Sequence, residues 1–404
     1  MEDVTVRWRR VVVGVALVLI ACNPDALQLE SSPRLTPTQS SGAAPAAVAV
    51  GDWSPLAPAP AGWYRPEGAF WIKDRLVVVA GSTAQTWERE TNQWRVIAEI
   101  PQADECEGCG YSEVVVWTGK KLLMWGGGFS YRSPDGTAHT GVAVDLHGRV
   151  EPLPEAPIPV RWWHQAVWTG EEMIIFGGGR DSHARKDGAA YDPSARTWRM
   201  LRKAPVGGYA NSLIWTGQEM ITWGGIRDSK GAQGFPSGFV PNGAAYNPKS
   251  DTWRLLPPSN LDPRGWHTAV WTGEEMLVWG GVAEPRSDCY DCGYGDDAAA
   301  YEPKTDSWRT IPAGPLSGRV EHTAVWTGDS MIVYGGSAPG GGPGKEDGAV
   351  YDSRAGTWSV LPDPPIKGRY RHAVVWNGRE MIVWGGQNPN GQGFSDGAFY
   401  RPGQ

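Results

Sequence analysis

"HTAVWTGEEMLVWGG", residues 267–281, reads as two apolar runs joined by a Thr-Gly turn and closed by a glycine pair. The stretch returns as "HQAVWTGEEMIIFGGG" at 164–179, "HTAVWTGDSMIVYGG" at 322–336 and "HAVVWNGREMIVWGG" at 372–386, with weaker copies between. The tryptophan before the Thr/Asn-Gly turn marks seven places: Trp71, Trp117, Trp168, Trp215, Trp271, Trp326 and Trp376, spaced by 46, 51, 47, 56, 55 and 50 residues. Glycine supplies the positive φ of a tight hairpin, so the two runs form strands a and b. After a polar loop, "DGAAYDPSARTWRML" (187–201) and its relatives supply strands c and d.

A lone four-stranded sheet cannot bury both faces, whereas sheets stacked around an axis can. The expected fold class is therefore all-β, a seven-bladed β-propeller. The last unit stops after its c strand, "DGAFYRPGQ", while "GDWSPLAPAPAG" at 51–62 is a d strand without a unit before it. The strand around Trp53 is thus expected to complete blade seven and close the ring. Gly-Gly followed by an aromatic, six residues and a tryptophan (Tyr191/Trp198, Tyr246/Trp253, Tyr301/Trp308, Tyr351/Trp358, Trp87/Trp94) is similar to the kelch repeat, as is R-x-x-H opening strand a. The resemblance covers about residues 51–402 and implies a propeller like the central domain of galactose oxidase.

Arg7, Arg9 and Arg10 precede an apolar run, Val11–Ala21, too short for an ordinary transmembrane helix. It ends in "LIAC", residues 19–22, which resembles the lipobox of bacterial lipoproteins. That resemblance implies a signal peptide over 1–21, acylation of Cys22, and an extracytoplasmic protein anchored to a membrane by lipid alone. Residues 22–50, rich in Pro, Ser and Ala, read as a flexible linker, and 51–404 as the propeller. Without the leader the chain carries about −8, which argues against nucleic-acid partners. A monomer is expected.

Four blades share an arginine seven residues and a histidine four residues before the marker tryptophan, with an aspartate entering strand c. They are Arg161, His164 and Asp187; Arg264, His267 and Asp297; Arg319, His322 and Asp347; Arg369, His372 and Asp396. Joint presence suggests an arginine–carboxylate bridge inside each blade. Histidines spread around a ring diverge, so no metal site is expected of them.

The remaining blades place Glu67, Glu113 and Asn211 at the histidine position, beside Tyr64, Arg65, Tyr111 and Tyr209, and blade three adds Trp162 and Trp163. Propeller topology gathers the d–a and b–c connections on one face at the channel mouth. Aromatics beside carboxylates and amides suit stacking on a sugar or a peptide. Long glycine-rich b–c loops, 225–242 and 336–347, lie on that same face.

Two Cys-x-x-Cys pairs, Cys106/Cys109 and Cys289/Cys292, also map there. Outside the cytoplasm each most simply closes on itself as a disulfide, leaving no cofactor. Zinc held by all four is the alternative, followed by redox use. The expected function is a binding or scaffold module for a glycan or protein ligand. The resemblance also keeps a carbohydrate-active enzyme open, such as a sialic-acid mutarotase-like propeller, and less readily a copper oxidase, because no Tyr-His pair stands out. No Ser-His-Asp, phosphate-loop or zinc-protease signature appears.

Overall fold

Alternating residues of each b strand pack on opposite neighbours, and this is what builds the ring. In blade three, Met173 and Ile175 join Leu123 and Trp125 of blade two, while Ile174 and Phe176 join Met220 and Tyr246 of blade four. Both faces are buried, so the b strands read as unbroken apolar runs. The computed structural model describes residues 47–48, 51–60, 66–100, 114–126, 131–132, 138–180, 183–228, 237–283, 293–338 and 342–403. These residues are all-β, with no helix among them.

Seven antiparallel sheets carry the order a-b-c-d, as in blade three: Gln165–Trp168, Met173–Phe176, Gly188–Asp192 and Thr197–Met200. Each a strand touches the a strands of its ring neighbours, and strand a of blade seven, Ala373–Trp376, meets that of blade one, Pro66–Ile72. Closure is as expected. Gly51–Leu56 pairs with Gly397–Pro402, setting Trp53 opposite Tyr400, and the Trp53 indole donates to the Pro362 carbonyl at 2.9 Å. Across the closing seam, the buried Glu380 carboxylate accepts from Arg401 at 2.5 Å and from Arg89 of blade one. Upstream, inside the stretch read as a linker, Ala47–Val48 lies parallel to Ser359–Val360 as a fifth strand on blade six.

The arginine of each full repeat is buried and paired with its aspartate: Arg161–Asp187 at 2.9 Å, Arg264–Asp297 at 2.5 Å, Arg319–Asp347 at 2.7 Å and Arg369–Asp396 at 3.0 Å. Each also donates to the carbonyl of the glycine that follows strand b in its own blade, Gly177, Gly280, Gly335 or Gly385. The histidines work between blades. His164, His267, His322 and His372 stand edge-on to Trp125, Trp223, Trp279 and Tyr334 of the preceding blade.

The glycine pair follows from that contact. A Cβ on Gly224 would lie 2.8 Å from the His267 ring and 2.7 Å from the Arg264 carbonyl oxygen, at φ +64°. Gly224→Ala is expected to destabilise the fold by roughly 2–4 kcal/mol, combining left-handed strain with overpacking. Urea unfolding at neutral pH measures it, and an unchanged midpoint would refute the wedge.

Candidate functional site

The residue immediately before the histidine position caps strand a at the channel mouth, and in blades three to seven it is left-handed. Trp163, Ala210, Trp266, Glu321 and Arg371 have φ of 54°, 55°, 52°, 57° and 56°. None is glycine, and such a conformation costs on the order of 1–2 kcal/mol per residue. The backbone is thus constant from blade to blade while the side chain varies freely. Trp163 is 47 % exposed, and its ring lies 5.4 Å from that of the buried Tyr209. Further round the rim, Glu321 and Arg371 form an ion pair between blades six and seven.

Tyr209 belongs to a satellite cluster with Ala210, Ile226, Phe239 and Val282, against which Trp266 packs. Connections of blades three and four contribute a second sheet on this side, Gly179–Arg180, His183–Ala184, Ile226–Asp228 and Ser237–Phe239. Part of the glycine-rich 225–242 loop is therefore strand. Trp162 is half-buried, with its backbone N–H donating to Gly179.

Two residues expected to face a ligand are turned to the scaffold. Asn211 is 5 % exposed and donates from Nδ2 to Thr222 Oγ1 at 2.7 Å; it fills the place that histidine takes in other seams. Glu67 is half-buried, and its carboxylate accepts the Gly81 backbone N–H at 3.0 Å. Both depart from the repeat because a different neighbour must be satisfied there. Tyr64, Arg65, Tyr111, Glu113, Cys22, Cys106, Cys109, Cys289 and Cys292 lie outside the described residues. Trp266, Glu321 and Arg371 were missed by the sequence reading. Their signal was the position before the histidine, which holds Trp, Ala, Trp, Glu and Arg in blades three to seven where the flanking residues repeat.

Among the described residues the side chains do not assemble a copper centre. His164, His267, His322 and His372 are each enclosed in their own seam, and burial holds all four down to a pKa of about 3, hence neutral. Among the described residues no three His, Cys, Asp or Glu side chains converge so as to hold a metal ion.

Family comparison matches residues 110–336, more than half of the chain, to the KLHDC2/KLHL20/DRC7 Kelch-repeats domain. The chain belongs to the kelch-repeat family. Among solved structures, this kelch propeller is similar to YjhT, at 14 % identity and a TM-score of 0.54, over 85 % of this chain and 95 % of the other. It is also similar to a fungal alcohol oxidase of the AA5 family solved with copper, at 14 % identity and a TM-score of 0.65, over 87 % and 76 % of the two chains. At that identity the likeness is one of fold. No curated protein sequence matches.

Proposed function

We propose that this kelch propeller is a binding or scaffold module, held outside the cytoplasm by a lipid on Cys22, that takes a glycan or protein ligand at its channel mouth. The leader ending in "LIAC" supports the tether. One observation carries the ligand site: the half-exposed Trp163 indole, fixed by a left-handed backbone and backed by the buried ring of Tyr209. An indole presented in one orientation costs little entropy when a sugar ring or an apolar side chain stacks on it.

The test uses the full-length protein against a panel of neutral and acidic oligosaccharides. Trp163→Ala is expected to weaken the bound glycans by about tenfold or more, a loss of about 1.4 kcal/mol or greater. Its thermal midpoint should stay near that of the parent, because half of the side chain already faces water. If no glycan in the panel loses affinity on Trp163→Ala, the mouth is removed as the site.

A further inference from the structure

On the face opposite the mouth, a polar ladder stitches neighbouring blades together. The arginine after the d-strand tryptophan pairs with the glutamate that opens strand b of its own blade, and donates onward to the c-strand tyrosine of the next. Arg199 holds Glu172 at 2.6 Å and Tyr246 at 3.0 Å; Arg254 holds Glu219 and Tyr301, both at 2.8 Å. Arg309 holds Glu275 at 2.6 Å and bonds Tyr351. Each arginine crosses an alanine of strand c: Ala190, Ala245 or Ala300.

Where the ladder changes, the charges are usually replaced. Blade two inverts the pair, with Lys121 at the glutamate position and Glu151 at the arginine position, joined at 2.5 Å. Blade seven keeps Glu380 and neutralises it with Arg401 and Arg89. Blade six replaces all three positions with uncharged residues. Ser330 stands for the glutamate, Ser359 for the arginine and Val350 for the alanine. The vacated space stays open as a cavity of ≈ 900 Å³ between blades six and seven.

We propose that this cavity is a second ligand site, for a neutral saccharide of one or two rings. Its volume lies at the upper end of the range for small-molecule sites. Val350, Ile332 and Trp376 supply apolar lining, while Ser330 and Ser359 supply hydroxyls; the Thr327 hydroxyl is engaged in its own turn with Asp329 and Ser330. A pyranose is apolar on its faces and rich in hydroxyls at its edge, which suits that division. Asp52, Asp329 and Asp352 line the cavity beside Arg379 and Arg401, so that acceptors and donors for sugar hydroxyls come with little net charge, which suits a neutral sugar. The proposal is independent of the mouth site.

Saturation-transfer NMR on the full-length protein with cellobiose, maltose and chitobiose tests it. At least one disaccharide should bind the parent protein. Ser330→Glu with Val350→Ala and Ser359→Arg, which rebuilds the ladder toward Tyr400, should weaken it by at least about tenfold while raising the thermal midpoint. Trp163→Ala at the mouth should leave this binding unchanged. If the triple variant does not fold, Ser359→Arg alone is compared. Absence of binding to the parent, or equal binding by the rebuilt variant, overturns the proposal. So does new proteolytic cleavage near Ala47–Val48 in the rebuilt variant, which would make the chain's own N-terminal strand the occupant.

Discussion

Taking the protein from pH 7 to pH 5 is expected to remove most of its stability. His164, His267, His322 and His372 are enclosed between blades, and burial lowers each pKa from 6.5 to about 3. Neighbouring Arg161, Arg264, Arg319 and Arg369 push in the same direction, while carbonyl contacts of His164, His267 and His322 oppose it, at His164 by more than its arginine adds. The unfolded chain takes up a proton at each histidine below 6.5, whereas the folded chain does not until about 3. Their contribution is therefore fully present above pH 6.5 and is lost as pH falls through the window down to about 3. Between pH 7 and 5 each costs about 2 kcal/mol, roughly 8 kcal/mol for four, against a typical domain stability of about 5–15 kcal/mol. Urea midpoints at pH 7.5, 6.5 and 5.5, followed by tryptophan fluorescence, measure the slope. A flat profile would mean that the imidazoles are protonated in the fold. The carboxylates act in a separate window. Burial alone would raise Asp187 and Asp347, but their arginine partners hold both below 3.8, so that part of the stability is lost only as pH falls past that value.

The ring was legible because its signals are local and repeated. A Thr-Gly turn, an apolar b strand and a glycine pair fall within fifteen residues, and the orphan strand around Trp53 could only belong to the incomplete last unit. Why the glycines are needed was not legible, since Gly224 meets His267 across a seam and nothing near Gly224 in the chain names that partner. The site was harder for the same reason. Asn211 and Glu67 break the repeat, and a break in consensus reveals a changed neighbour without revealing which way the side chain points. Trp163 could be read as an unusual aromatic, but the positive φ that displays it, shared with Trp266, Glu321 and Arg371, has no residue signature because none is glycine. Ser330 and Ser359 become informative only once the arginine ladder of the intact blades is known.

Arg319→Ala is the second substitution with a large expected effect, about 3–5 kcal/mol. Arg319 is fully buried. Its Nε donates to the Ser317 carbonyl at 2.9 Å, and Nη1 to Gly335 at 3.1 Å and to the Asp347 carboxylate at 2.7 Å, while Nη2 reaches the other carboxylate oxygen at 2.9 Å. One planar group thereby joins the d–a connection, the end of strand b and the entry of strand c. Truncation leaves the buried Gly335 carbonyl and the part-buried Ser317 carbonyl without their donor and a carboxylate without its partner. Lysine retains the charge but cannot span three separated acceptors, so Arg319→Lys is expected to recover less than half of the loss. Asp347→Asn should cost only about 1 kcal/mol, because that side chain is 53 % exposed and water screens the pair. Thermal and urea unfolding of the three variants give the order. If Asp347→Asn proved as damaging as Arg319→Ala, the ion pair itself would hold the blade; the expected order assigns that role to the backbone carbonyls gathered by one guanidinium.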